Sequence, residues 1–118
     1  MYGLPEDIDL TFLHGKELLQ VCIGLNEVIL NFHGQVSITV ESEFTHMART
    51  GEVTRFQDCR SSALALASFL GISLSTVKGA ADGTLTLCFS NEEILEVYDD
   101  SKEFESYQIR IGSRLIVV

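Results

Sequence analysis

Val28-Ile29-Leu30-Asn31-Phe32, His33-Gly34-Gln35 and Val36-Ser37-Ile38-Thr39-Val40 decide how the rest of the chain is read. In both outer runs every second residue is a large apolar one, which is the period of a strand with one buried face. The three residues between them include a glycine and two polar side chains, so the chain reverses there. Working backwards, Leu18 to Ile23 is a further strand, turned by Gly24-Leu25-Asn26 into a strand beginning at Glu27. Working forwards, the last run extends to Glu43, with Glu41 and Ser42 keeping the polar phase. The result is a three-stranded antiparallel meander.

The same order of residues recurs 56 to 57 positions later. Val28 matches Leu85, Leu30 matches Leu87, Phe32 matches Phe89, Ile38 matches Leu95 and Val40 matches Val97; Val21 matches Val77. Allowing one gap, the lead-in Phe12-Leu13-His14-Gly15 resembles Phe69-Leu70-Gly71. Alternation alone has only two phases and explains part of this, but not the constant offset across lead-in, turn and strands. The second meander therefore comprises Leu74 to Lys78, Thr84 to Phe89 and Ile94 to Tyr98, with Asp82-Gly83 as its first hairpin turn. The repeat spans about 12–44 and 69–104.

Between the copies, Asp58 is placed to cap a helix over Cys59 to Leu70, closed by Gly71 in a left-handed conformation. Cys59, Ala63, Leu66 and Leu70 supply its apolar stripe. Pro5-Glu6-Asp7 suits the start of a shorter helix. Residues Thr45 to Gln57 read as a loop or an irregular hairpin. Tyr107 to Ile111 and Arg114 to Val118 form a C-terminal hairpin around Gly112-Ser113. Leu115-Ile116-Val117-Val118 is apolar throughout, which predicts cover on both faces. Helix and C-terminal hairpin fall outside the repeat. The expected class is α+β, mainly β, in a single domain over 1–118: two repeated three-stranded meanders, a C-terminal hairpin and one main helix packed on the sheet.

Composition bounds the function. A net charge of −9, from 17 acids and 8 Lys plus Arg, argues against nucleic acid, whose phosphates call for clustered cations. No apolar run approaches a membrane span and the N-terminus lacks the pattern of a signal peptide. Cys22, Cys59 and Cys88 form no CxxC pair and their number is odd, which fits a reduced compartment and a cytoplasmic location. The outward residues Ile29, Asn31, Thr86 and Cys88 carry no charge, so that face calls for cover by the helix, the C-terminal strands or a second copy in a homodimer.

No catalytic constellation assembles. His14, His33 and His46 have no metal-ligand spacing, and no cofactor-binding loop is present, so neither a metal nor a cofactor is expected. Cys59 at a helix start beside Arg60 is the best nucleophile available, although it also opens the apolar stripe. The acids Glu92, Glu93, Glu96, Asp99, Asp100, Glu103 and Glu105 are the most distinctive charge feature. They lack the order of a calcium loop. Interleaved with Tyr98, Phe104 and Tyr107, they offer long-range attraction and aromatic anchors to a basic partner.

The opening Phe12 to Gly24, the segment Val40-Glu41-Ser42-Glu43-Phe44 and the late Asp99-Asp100 with Phe104-Glu105-Ser106-Tyr107-Gln108-Ile109 resemble a family of small bacterial domains of unknown function. Its members carry an aromatic-Glu-small-aromatic motif before their final strands, here Phe104-Glu105-Ser106-Tyr107. The resemblance implies a bacterial origin and a stand-alone domain, and brings no catalytic residue with it. Within that motif, Phe104 and Tyr107 are expected to clamp the C-terminal hairpin to the sheet.

The expected function is a non-enzymatic binding module of the immunity or antitoxin kind, covering a basic protein partner through Tyr98, Asp99, Asp100, Glu103, Phe104, Glu105 and Tyr107. The alternatives are a structural or oligomeric protein without a ligand, and a small-molecule binder or enzyme with a pocket between the repeats, using Glu105, Tyr107 and His14.

Overall fold

The computed structural model of the protein describes residues 9–100 and 106–118. Ten strands form two five-stranded antiparallel sheets: β1 (Leu18–Ile23), β2 (Val28–Phe32), β3 (Val36–Val40), β4 (Phe44–Met47), β5 (Val53–Phe56), β6 (Leu74–Gly79), β7 (Leu85–Phe89), β8 (Ile94–Val97), β9 (Tyr107–Ile111) and β10 (Arg114–Val117). The order is β1-β2-β3-β9-β10 in one sheet and β5-β4-β8-β7-β6 in the other. Each meander expected from the sequence is thus present, and each is completed by a hairpin that belongs to the opposite half of the chain. The hairpin β4–β5 follows the first meander yet pairs with the second, through β8. The hairpin β9–β10 follows the second meander yet pairs with the first, through β3.

The two halves correspond in detail. Both first strands carry a bulge at the same point, between Leu18 and Gln20 and between Leu74 and Thr76. Both second turns place a non-glycine residue at positive φ, Gln35 at 62° and Glu92 at 70°, which are 57 apart. Where the strands meet, the hydrogen bonds occur in matched pairs 56 apart. Gly15 N donates to Leu74 O (2.7 Å) as Gly71 N donates to Leu18 O (2.9 Å). Leu18 N donates to Ile72 O (3.0 Å) as Leu74 N donates to Lys16 O (2.9 Å). At the crossovers Glu41 N donates to Ser106 O and Tyr98 N donates to Glu43 O.

Four expectations need correction. The lead-ins align without a gap, because Leu13 N to Leu10 O matches Phe69 N to Leu66 O; Leu13 therefore corresponds to Phe69, not to Leu70. The C-terminal hairpin is no addition, since β4–β5 is its counterpart within Thr45 to Gln57. The connection before it is longer by six residues, which hides the match: Val40 pairs with Tyr107 where Val97 pairs with Phe44.

The helix is also shorter than Cys59 to Leu70. A 3-10 turn over Arg60–Ser62 leads into α1 (Ala63–Ala67). Ser61, Ser62 and Ser68 turn their hydroxyls back onto the carbonyls of Asp58, Cys59 and Ala65, competing with helical hydrogen bonding. The stripe is Ser62, Leu66 and Phe69, all buried, whereas Leu70 is exposed. Gly71, at φ 82°, terminates the segment as expected. Pro5-Glu6-Asp7 lies outside the described residues.

Alternating residues of both sheets join one continuous core. Leu18, Val28, Leu30, Ile38, Tyr107 and Ile109 come from one sheet; Leu74, Leu85, Leu87, Leu95, Val97 and Phe44 come from the other. Each fully buried Leu, Ile or Phe contributes roughly 1.5–3 kcal/mol of transfer free energy. Phe69, from the end of the helical segment, packs its ring 4.4 Å from Phe89 and 5.2 Å from His46. The last strand is covered on one face only: Ile116 and Val118 are buried while Leu115 is exposed, because only the inner face of this sheet joins the core; Arg110 of the neighbouring β9 is exposed on the same outer face.

Candidate functional site

At the first crossover between the sheets, Glu41 to Glu43, lies an open cleft of about 1040 Å³. The β1–β2 turn supplies Leu25, Asn26 and Glu27. The crossover supplies Glu41, Ser42, Glu43 and Phe44, and the connection from β5 to the helix supplies Phe56, Gln57, Asp58, Cys59 and Arg60. Asp100, just beyond β8, completes it. Five of these thirteen residues are carboxylates, Glu27, Glu41, Glu43, Asp58 and Asp100, against one cation, Arg60. Phe44 and Phe56, with ring centroids 5.4 Å apart, form an apolar floor.

The carboxylates differ in setting. Glu43 binds Arg55, whose Nε donates to Oε2 at 2.6 Å, and the guanidinium lies 5.2 Å from the Tyr98 ring centroid. Asp100 stands 3.9 Å from the same guanidinium. Partial burial, and then the charge of Glu43, push the Asp100 carboxyl above its ordinary pKa. Asp58 accepts a hydrogen bond from Arg60 N (3.0 Å), fixing the start of the 3-10 turn. Burial first, and Asp58 second, raise the Cys59 thiol pKa. A thiol held in its protonated form is a poor nucleophile, so the setting opposes the activation that a helix N-terminus would provide.

The residues expected to bind a partner are dispersed. Asp100 lines the cleft. Tyr98 stands beside it, accepting from Ser42 Oγ at its carbonyl (2.6 Å) and pairing its hydroxyl with Thr45 Oγ1 (3.1 Å). Asp99 accepts from Ser106 Oγ (2.8 Å) and packs against Gly83. Tyr107 is wholly buried, its hydroxyl donating to Gly83 O at 2.7 Å. It therefore clamps β9 to the β6–β7 turn and presents nothing to a partner surface. Glu103, Phe104 and Glu105 lie outside the described residues. Of the other acids, Glu93 is engaged with His46 Nε2 (2.6 Å) and Glu92 occupies the β7–β8 turn, so these described acids have separate settings.

Tyr107 and His14 do not line this cleft, and His14 Nε2 accepts from Val77 N (3.1 Å) beside the β6 bulge. Among the described residues no three of His, Cys, Asp and Glu converge as metal ligands, and no helix is long and apolar enough to cross a membrane.

Known families, curated proteins and solved structures give no match to this chain. What the cleft can do must be read from its own chemistry. Glu27, Glu41, Glu43 and Asp58 were not expected as site residues, because they come from three separate segments with no spacing to announce them. Only the fold brings them to Asp100.

Proposed function

We propose that the protein is a non-enzymatic binding module whose acidic cleft receives a basic group presented by a protein partner, the mode of action of an immunity or antitoxin-type protein. The observation that carries this reading is the acidity of the cleft: five carboxylates line it with one arginine, Arg60, and Arg55, beside Glu43 and Asp100, adds a second cation, over an aromatic floor. A guanidinium or ammonium group entering it would pair with Asp100, whose carboxyl is held above its ordinary pKa by partial burial and then by the charge of Glu43, and would set its aliphatic stem against Phe44 and Phe56. The net charge of −9 would draw such a partner in from a distance. Cys59, the one cysteine of the cleft, is disarmed by its setting, which favours binding over covalent chemistry.

The test is calorimetric titration with an arginine-rich peptide at low and physiological salt, using the wild type and the double variant Asp58→Asn, Asp100→Asn. Asn preserves the turn that Asp58 caps. The expected result is salt-sensitive binding that weakens at least tenfold in the variant. Equal binding by wild type and variant, or equal binding of an uncharged peptide, would remove the cleft from consideration.

A further inference from the structure

Four strands stand at sheet margins, and three are closed to further pairing by features of their own. On β1 the bulge interrupts the edge and both backbone groups of Leu18 are taken, by Ile72 O and Gly71 N. On β6 the matching bulge is present, Leu74 is bonded to Gly15 and Lys16, and Val77 N is bonded to His14. On β5 the charged, exposed Arg55 is drawn across to Glu43. Margins of these kinds are how proteins prevent strand addition.

β10 has no bulge and no bond from a backbone group on its outer edge to the backbone of another described segment, and its one charged residue, Arg114, stands at its first position. Its register with β9 is regular from Arg114 opposite Ile111 to Val117 opposite Gln108. Val118 N donates to Tyr107 O (2.9 Å) and Tyr107 N to Val118 O (3.3 Å). Hydrogen-bonded pairs alternate along an antiparallel ladder, so Ile116 and Arg114 also bond inward, and Leu115 and Val117 turn both their N–H and C=O groups away from β9. No described strand lies beyond them. On the outer face Leu115 is 44% exposed and Val117 partly so.

We propose that β10 pairs antiparallel with β10 of a second copy, joining two five-stranded sheets into one of ten strands. With Ile116 opposite its own symmetry mate, Leu115 of each copy faces Val117 of the other. Both pairs are then hydrogen-bonded pairs, giving four backbone bonds about a two-fold axis.

Three observations commit the edge to a second copy. The pattern is self-complementary, since the two outward residues are spaced symmetrically about Ile116 and both are apolar. Residues 106–118 contain Arg110 and Arg114 and no acid, so in a chain of net charge −9 this margin lets two copies approach with their acidic surfaces apart. Pairing also places the two Arg114 side chains at opposite ends of the contact, roughly 13 Å apart at about 3.3 Å per residue, beyond a Debye length of about 8 Å. A short contact of this kind makes a concentration-dependent dimer.

Sedimentation equilibrium over a concentration series from about 5 to 500 μM tests this, with Leu115→Lys and Val117→Pro as variants. Lysine is tolerated at an exposed edge position, and proline at 117 removes only an outward N–H. The wild type is expected to move from the monomer mass of 13.1 kDa toward twice that value. Both variants should stay monomeric throughout with an unchanged far-UV spectrum. Amide exchange at Leu115 and Val117 should slow at least tenfold in the wild-type dimer. A wild type that remains monomeric at 500 μM overturns the proposal, as does a dimer that persists in Leu115→Lys or leaves those two amides unprotected.

Discussion

Replacing Tyr107 with Phe removes one hydroxyl from the core and nothing else. That hydroxyl donates to Gly83 O at 2.7 Å, and both residues are buried, so water does not take its place. The lost bond is worth about 0.5–1.5 kcal/mol net, and leaving a buried carbonyl short of a donor adds to it, for a total of about 1.5–2 kcal/mol. A chain of this length unfolds with an entropy near 0.25 kcal/mol/K at about 2.1 cal/mol/K per residue, so Tm should fall by about 6–8 °C at pH 7. The alkaline limb supplies a second signature. Burial, reinforced by Asp99 and Asp82, holds the Tyr107 pKa well above the ordinary tyrosine value. Above about pH 10 the unfolded chain therefore releases a proton that the folded chain keeps. The unfolded state then binds fewer protons, and wild-type stability falls by up to about 1.4 kcal/mol per pH unit. Tyr107→Phe lacks that contribution, so the gap between the two proteins should narrow to near zero by about pH 11. Urea unfolding at pH 7, 9, 10 and 11 measures both. A variant as stable as wild type at pH 7, or a gap that stays constant from pH 9 to pH 11, would refute the clamp assigned to Tyr107.

Two further outcomes concern neighbouring features. Gly83 has φ +92°, and a Cβ there would lie 2.5 Å from the Asp99 side chain, whereas Gly51, at φ +94°, has open space around it. Gly51→Ala should cost about 1–2 kcal/mol from backbone conformation alone, and Gly83→Ala clearly more; equal melting temperatures for the two would contradict the contact. Cys59, with its thiol pKa raised by burial and by Asp58, should react with iodoacetamide at pH 7.5 more slowly than a free small thiol. Faster labelling, read by mass spectrometry of the modified peptide, would restore it as a nucleophile candidate.

The six meander strands were legible because most side chains on their inner faces are large and apolar, and because Gly and polar residues mark the turns between them. The hairpin β4–β5 was not. Its inner residue His46 corresponds to Ile109 in β9, a polar side chain accommodated in the core layer through Glu93, so its four residues show no apolar alternation. The helix was overread because Ala63-Leu64-Ala65-Leu66-Ala67 has strong helical propensity, while the serines around it bond their own backbone. Of the cleft, Asp100 was visible as part of a run of acids. Its partners were not, since Glu27 and Asp58 owe their proximity to a crossover that no local pattern encodes.

The exchange of hairpins between the halves bears on the order in which the protein can be made. During synthesis β4 and β5 emerge after the first meander, but the strand beside which β4 must lie, β8, comes some 50 residues later. The first meander in turn waits for β9 before its third strand is covered. Neither half can complete a sheet from its own residues, and the pairings that close both sheets are the most distant in sequence. Folding should accordingly be slow for a chain of this size and arrive in one cooperative step late in synthesis, with β3 and the lone β4–β5 hairpin exposed until then.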